Sequence, residues 1–199
     1  LHKNRFNGVI STSMGRLFDA VSAVLGICRQ STFEGQAAQA LQGVAEAWLA
    51  TQSQNDETGA VKAEMLKTEN LKADSCLQMT AKSGSAQDAA SPYFLPTDIL
   101  FREILQRKLN GEAAGALAYY FHQALADMTV ALCGRLAEEN GIRKVALSGG
   151  VFQNTLLLGL MKDRLTENGL EVLHHHLIPP NDGGLSLGQA LYGLGQMDL

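Results

Sequence analysis

The sequence predicts a helix-rich α/β chain built around a small sheet. Two glycine-containing loops, residues 148–154 and 179–184, each follow a short apolar run and precede a helical pattern. Units of strand, loop and helix are typical of parallel sheets covered by helices. With 199 residues, 46% of them hydrophobic, the chain has enough material for one domain, or two small lobes, with a real core.

Two helices are predicted in the first quarter of the chain. Apolar residues recur on one face from Met14 to Leu25, and Gly26 follows as a helix stop. A hydroxyl among residues 11–13 is well placed to cap this helix. A second helix is predicted from residue 34 or 35 to about residue 50, where Ala and Gln are frequent.

The segment from residue 51 to residue 95 differs in character. It is polar, has few aromatic residues and contains Gly–Ser turns. Short strands are predicted at residues 64–71 and 75–81, as a hairpin or an irregular excursion within one lobe that spans residues 1–199. Nothing in this segment indicates chemistry.

Helices resume after this excursion. Thr97 or Asp98 is predicted to cap a helix that reaches about Lys108, and residues 111–140 support a long helix with one apolar stripe. His122 lies beside that stripe. A lone helical histidine is more often a packing residue than a ligand, and we interpret His122 in that way.

The first glycine loop follows a buried strand predicted at residues 144–147. Gly149 and Gly150 permit backbone conformations, and a close approach of a ligand, that a side chain would block. The helix that follows, up to Gly169, begins with unpaired amides that favour an anion. The alternative is a tight turn that binds nothing.

The second loop repeats the arrangement. A strand is predicted at residues 170–178 and a helix from residue 185 to about residue 194. Asp182 then lies at the carboxyl end of a strand, where open α/β sheets bind ligands, and its carboxylate suits a hard cation. The alternative is that Asn181 or Asp182 only caps the helix.

Composition excludes several classes of protein. A net charge of −4 gives no basic footprint for nucleic acid, and no apolar run approaches the length of a membrane span. Three widely spaced cysteines without a Cys-x-x-Cys pair indicate reduced thiols, so we expect a cytoplasmic protein without a nucleic-acid or membrane partner. His174 and His176 share one face of the predicted strand, where they could chelate a metal adventitiously.

Four motifs together resemble the HypF family of hydrogenase-maturation carbamoyltransferases. The C-terminal motifs are Ser-Gly-Gly-Val-Phe-Gln-Asn at residues 148–154 and Pro-Pro-Asn-Asp-Gly-Gly-Leu-Ser-Leu-Gly-Gln-Ala at residues 179–190. The N-terminal motifs are Thr-Ser-Met-Gly-Arg-Leu-Phe-Asp-Ala-Val at residues 12–21 and Phe-Glu-Gly-Gln-Ala-Ala at residues 33–38. Their order matches that of the family, and only about residues 50–95 carry no matching motif.

The resemblance implies a fold and an activity. It implies the helix-rich C-terminal lobe of a domain related to the TsaD threonylcarbamoyl transferases, with the actin- and sugar-kinase-like fold known as ASKHA. The family makes carbamoyl-adenylate from carbamoyl phosphate and ATP, and passes the carbamoyl group to the C-terminal cysteine of HypE on the way to nickel–iron hydrogenase. The other half of this domain and the acylphosphatase-like, zinc-finger and YrdC-like domains match nothing here, so we expect them as partners.

The resemblance also implies site residues. The nucleotide-binding positions, for ATP, AMP or carbamoyl-adenylate, are Gly15, Asp19, Gly35, Gly149, Gly150 and Asn154. Asp19 would bind the ribose hydroxyls, and Gly35 would admit the ribose or base. Gly149, Gly150 and Asn154 would hold the phosphates. Asp182 matches a ligand of the family's divalent metal, which could be magnesium, zinc or iron. The family's His-x-x-x-His metal motif has no counterpart among the five histidines, so we expect one wall of a site, inactive by itself.

Two other classes of function remain open. A sugar- or acetate-kinase-like phosphotransferase lobe also uses Gly–Gly loops for nucleotide, but the match at residues 181–184 favours the carbamoyltransferase. A non-catalytic module that docks HypE or a neighbouring domain would bind protein and no nucleotide.

Overall fold

The computed structural model describes residues 11–55, 93 and 95–197, and the side chains of residues 53–55 and 197 are not considered. Its helices and strands are, in chain order, α1 (Met14–Leu25), α2 (Gln36–Asn55), α3 (Thr97–Leu109), α4 (Ala114–Asn140), β1 (Lys144–Leu147), α5 (Thr155–Glu167), β2 (Glu171–His174) and α6 (Leu185–Met197). Two short 3₁₀ turns, Gly150–Gln153 and Asp182–Gly184, precede α5 and α6. The strands predicted at residues 64–71 and 75–81 lie outside the described residues.

The limits of α1 agree with the sequence pattern. Gly26 adopts a left-handed conformation, with φ of 78°, and its N–H donates to carbonyls of the last turn. Phe18, Val21 and Leu25 are buried, as the apolar stripe predicts. The hydroxyl cap is not observed, because Ser13 occupies the capping position without a side-chain hydrogen bond to the helix.

The start of α3 differs from the prediction. Thr97 and Asp98 lie inside the helix, and Pro96 occupies the capping position without a side-chain bond. Leu95 accepts the Thr97 N–H at 2.8 Å, so a backbone turn replaces the expected side-chain cap.

Helix α4 forms the centre of the structure. Every residue from position 116 to position 126 is buried, and the helix contacts α1, α2, α3 and α5. The predicted single apolar stripe is therefore too narrow, because a helix surrounded by others buries all of its faces. Polar residues in this stretch must find partners inside the protein.

The sheet consists of β1 and β2, which pair in parallel from Lys144 opposite Glu171 to Leu147 opposite His174. Helix α5 connects the two strands and contacts β2. The second strand is shorter than the predicted 170–178, because β1 ends at Leu147 and leaves later residues without a partner. Helix α6 follows, and from residue 185 to residue 196 it is exposed throughout.

His122 is fully buried in the core. Its ring packs edge-on against Phe18 and Phe121, with centroids 5.4 and 5.6 Å away. Its Nδ1 lies 2.7 Å from the Ala118 carbonyl and its Nε2 lies 2.9 Å from Nδ2 of Asn154. Burial lowers the pKa of His122, so the neutral imidazole is favoured. The structure confirms that His122 is a packing residue.

We expect Gly115→Ala to destabilise the chain. A Cβ at Gly115 would lie 2.7 Å from Cβ of Trp48, so α2 and α4 would have to separate. Overpacking of this kind costs about 1–3 kcal/mol of the free energy of unfolding, which urea denaturation would measure.

Gly134→Ala on the same helix is the matched control. A Cβ there meets nothing within 4 Å, so the better helix propensity of Ala should raise the free energy of unfolding by up to about 1 kcal/mol. Equal stability of the two variants would contradict the close packing of α2 against α4.

We also expect His122 to make stability depend on pH. Its folded pKa is lower than its ordinary value of 6.5, so the contribution is fully present above that value. As the pH falls, the unfolded chain takes up the proton first, and stability is lost until the pH has passed through the folded pKa. Urea denaturation between about pH 7.5 and about pH 5.5 should show a smaller loss in His122→Phe than in the wild type. Parallel losses would contradict this assignment.

Candidate functional site

One hydrogen bond joins the two glycine loops. The N–H of Gly149, after β1, donates to the carbonyl of Pro180, after β2, at 2.8 Å. Gly149 has φ of 107° and ψ of 157°, a conformation that only glycine adopts readily. The bond brings both loops to the carboxyl edge of the parallel sheet, where such sheets commonly bind ligands.

An open cleft of about 560 Å³ lies at this edge. Its walls come from both loops and the first two turns of α6, and they include Ser148, Gly149, His175, Asn181, Asp182 and Tyr192. Gly149 and Asp182, which the sequence placed 33 positions apart, therefore face the same space. The other five candidate residues do not line this cleft.

The two loop glycines differ in what their amides can do. The Gly149 amide is engaged with Pro180, whereas the Gly150 N–H makes no hydrogen bond within the described part of the chain. Gly150 begins the 3₁₀ turn, and a Cβ there would lie 3.7 Å from Cβ of Asn181. Its amide is therefore a donor that this loop can offer to an anion.

Asn154 lies beneath the loop. Only 7% of the residue is exposed. Its Oδ1 accepts the Leu157 N–H at 2.9 Å as the cap of α5, and its Nδ2 lies 2.9 Å from Nε2 of His122. Both ends of the amide are thus bound within the protein, and the position holds the start of α5 in place.

Asp182 and Asn181 have different surroundings. Asn181 Oδ1 accepts the Gly183 N–H at 3.1 Å, which is the capping role considered from the sequence. Asp182 is exposed on the cleft and carries no side-chain hydrogen bond from the described residues. Among those residues, no group of three His, Cys, Asp or Glu side chains could hold a metal, so Asp182 offers a single ligand.

The N-terminal candidates lie on a separate part of the surface. Asp19 pairs with Arg16 at 3.0 Å, and 30% of its side chain is exposed. Gly35 precedes α2 with φ of 80° and open space where a Cβ would be, and Gly15 lies in the first turn of α1. Asp19 follows Phe18, whose ring contacts His122, so the core connects this region to Asn154.

The sequence did not single out Ser148 and His175. Ser148 Oγ and His175 Nε2 lie 3.0 Å apart at the cleft. The rings of His174 and His176 lie together, with centroids 4.0 Å apart, but His176 lies beyond the end of β2, so the expected alternation within one strand does not account for this. No sequence signal marked His175, because the predicted strand ran to residue 178, whereas β2 ends at His174 and leaves His175 beside the loop that follows β1.

The remaining expectations concern cysteines and membranes. Cys28 and Cys133 are free thiols, and burial raises the pKa of Cys133, which disfavours its reactive thiolate. Cys76 lies outside the described residues.

Within the described residues, none of the helices combines the length and the apolar character needed to cross a membrane.

Comparison with known proteins identifies relatives over nearly the whole chain. The family model described as "Carbamoyltransferase, Kae1-like Domain, second subdomain" matches residues 1–189. The carbamoyltransferase HypF of Rhodobacter capsulatus is 36% identical and is matched over 96% of this chain and 21% of its own length. That of Rhizobium leguminosarum is 30% identical over 92% of this chain and 20% of its own length.

Two solved structures share the fold. A full-length HypF in a phosphate- and nucleotide-bound form superposes with a TM-score of 0.68 and 29% identity, over 94% of this chain and 25% of that one. The T. kodakarensis HypF, at 24% identity, superposes with a TM-score of 0.62 over 94% of this chain and 20% of that one. The chain spans between a fifth and a quarter of the length of these relatives.

The architecture and the comparisons agree. The helix-rich α/β fold with a small parallel sheet is the fold that the sequence predicted and that the solved HypF structures share. Because the family model covers residues 1–189, this chain belongs to the HypF carbamoyltransferase family and corresponds to the second subdomain of its Kae1-like domain.

Proposed function

We propose that this chain is the nucleotide-binding lobe of a carbamoyl-transferring domain. In the whole protein it would bind carbamoyl-adenylate, made from carbamoyl phosphate and ATP, and help to transfer the carbamoyl group to the C-terminal cysteine of HypE. The observation that supports this most is the 2.8 Å bond between Gly149 and Pro180, which puts two glycine loops and one carboxylate on one cleft.

The proposed phosphate site is the loop after β1. Gly149 shapes the loop, Gly150 donates its free amide to a phosphate oxygen, and Asn154 contributes by holding the start of α5 beneath them. Backbone amides at such a position bind anions without needing a basic side chain.

The proposed sugar and base sites lie on α1 and α2. The Asp19 carboxylate can accept hydrogen bonds from both ribose hydroxyls if it gives up its ion pair with Arg16. That ion pair is weak, because 64% of the Arg16 side chain is exposed. The open space at Gly35 and the small residue Gly15 let a nucleotide approach the backbone.

The proposed chemistry needs little proton transfer from this chain. The partner's thiolate attacks the carbamoyl carbon, a C–S bond forms, the bond from carbon to the phosphate oxygen breaks, and AMP leaves with the electron pair. Negative charge therefore grows on the phosphate of AMP. The Gly150 amide is placed to stabilise that charge.

Asp182 alone does not make a metal site. We propose that it supplies one oxygen ligand to a divalent cation, magnesium, zinc or iron, whose other ligands come from outside the described residues. Such a cation would neutralise phosphate charge when bound. For this reason we expect the chain by itself not to transfer carbamoyl groups.

We propose that the lobe completes an ASKHA-type, TsaD-like domain together with the other half of that domain. It would act beside a YrdC-like domain, in the cytoplasm. The chain covers 21% of the Rhodobacter capsulatus relative and 25% of the full-length HypF structure, which supports its being one part of a larger protein.

Helix α6 favours a second candidate function, a docking module. Leu191, Tyr192 and Leu194 are 60%, 72% and 61% exposed, and among the described residues α6 makes its contacts with the adjoining 3₁₀ turn. A bare apolar helix is typical of a protein-binding surface. A docking module would bind HypE or another domain and no nucleotide.

Gly150→Ala tests the phosphate site. The variant should fold normally, because its Cβ meets only Asn181 at an ordinary 3.7 Å, but that Cβ would crowd a phosphate at the amide. Calorimetric titration with ATP or AMP and Mg²⁺ should show saturable binding to the wild type and about tenfold weaker binding to Gly150→Ala. If the wild type does not bind, the docking module becomes the better explanation.

Asp19→Ala tests the ribose site. Removing the carboxylate leaves two ribose hydroxyls without acceptors, so affinity for AMP should fall by about tenfold or more. Asp163→Ala, an exposed carboxylate on α5 away from the cleft lining, is the control for net charge. An equal loss of affinity in both variants would contradict a specific role for Asp19.

A further inference from the structure

We propose that His122 is a positioning residue for the glycine loop and acts through Asn154. The sequence separates the two residues by 32 positions, but the fold places their side chains 2.9 Å apart in the core. The importance of this contact for nucleotide binding rests on the proposed function. Its effect on the shape of the loop does not.

The direction of the hydrogen bonds is determined by chemistry. The Ala118 carbonyl can only accept, so Nδ1 of His122 carries the proton and donates across 2.7 Å. Nε2 is then an acceptor, and the Asn154 amide must turn its Nδ2 toward it. This leaves Oδ1 facing the Leu157 N–H, which is the orientation that caps α5.

Asn154 transmits this constraint to the loop through its backbone. Its N–H donates to the Val151 carbonyl at 3.1 Å, and its own carbonyl accepts the Leu158 N–H at 3.0 Å. The first bond closes the 3₁₀ turn that begins at Gly150, and the second starts α5. A shift of Asn154 therefore moves the Gly150 amide and the helix start together.

The His122 end of the contact is rigid. The imidazole is fully buried in the enclosed part of α4, between the rings of Phe18 and Phe121. Glu46 of α2 is the charged group that acts on it from a neighbouring helix, and it favours the protonated ring only weakly against burial. The core thus holds the His122 ring in place, and Asn154 is positioned against that ring.

A second tether to the same helix start provides a comparison. Gln42 Nε2 of α2 donates to Thr155 Oγ1 at 2.7 Å, but this pair is exposed. Water can replace an exposed partner, whereas Nε2 of His122 and Nδ2 of Asn154 have no other partner among the described residues when the buried bond is lost. The buried contact should therefore control the loop, and the exposed one should not.

The test uses the full chain with three variants. His122→Phe keeps an aromatic ring but removes the acceptor, and Asn154→Ser keeps a capping hydroxyl that is too short to reach His122. Gln42→Ala removes the exposed tether. Amide hydrogen exchange is measured by NMR, and Ile104→Val, a buried change on α3, reports the effect of general destabilisation.

We expect exchange of the Leu157 amide to become about tenfold faster in His122→Phe and in Asn154→Ser, and to change little in Gln42→Ala. Ile104→Val should accelerate exchange across the core without singling out residues 150–157. If His122→Phe does not fold, Asn154→Ser alone decides the outcome. Unchanged loop exchange, or acceleration spread evenly over the chain as in Ile104→Val, would overturn the proposal.

Titration with AMP separates this inference from the proposed function. If the site binds nucleotide, His122→Phe and Asn154→Ser should each weaken binding by about tenfold, and the variant that combines them should bind no more weakly than either one, because both substitutions remove the same contact. Multiplied losses in the double variant would overturn action through Asn154. A wild type that shows the exchange effects but binds no AMP would reject the nucleotide function and leave the positioning role intact.

Discussion

The burial of α4 is the constraint on which the rest of the structure depends. From position 116 to position 126 every residue is enclosed, and four helices pack around α4. Two of the polar side chains there, those of Tyr120 and His122, have partners inside the protein, whereas Oε1 of Gln123 has none among the described residues. Tyr120 donates to Glu103 of α3 at 2.7 Å, and His122 pairs with Ala118 and Asn154. Unpaired groups in such a position would cost several times the gain from a surface bond. The helix therefore determines how its neighbours are rotated as well as where they lie.

The two glycine loops of the candidate site differ in how directly they are attached to this core. On one side, Asn154 connects the first glycine loop to the core. On the other side, the second loop is held by the Gly149–Pro180 bond and by its own 3₁₀ turn, and α6 leaves it with an apolar surface that the described residues do not cover. The cleft is open, and the chain spans about a fifth of the length of the relatives that it matches.

The charges around the cleft limit how an anion can bind. Among the described residues that line it, there is no Lys or Arg, and Asp182 adds a negative charge. An anion in the cleft must then be held by neutral donors such as the Ser148 hydroxyl, with the Gly150 amide beside the lining residues, or by a cation that Asp182 helps to bind. Under the proposed function, the affinity of this chain for a nucleotide would therefore depend on a few neutral donors.

The sequence by itself determined the elements whose limits follow local rules. The left-handed glycines at positions 26 and 169 end α1 and the turn after α5, and the apolar period of α1 and the limits of β1 appear where they were predicted. The prediction that β1 is a buried strand was wrong, because only Leu147 of its four residues is buried. The motifs also placed Gly149 and Asp182 at neighbouring strand ends, because parallel strands share an edge. Tertiary structure decided the rest: β2 stops where β1 does, His175 faces Ser148, and Asn154 finds its partner on α4. These outcomes depend on how helices far apart in the chain rotate and pack, and no local pattern of side chains encodes that rotation.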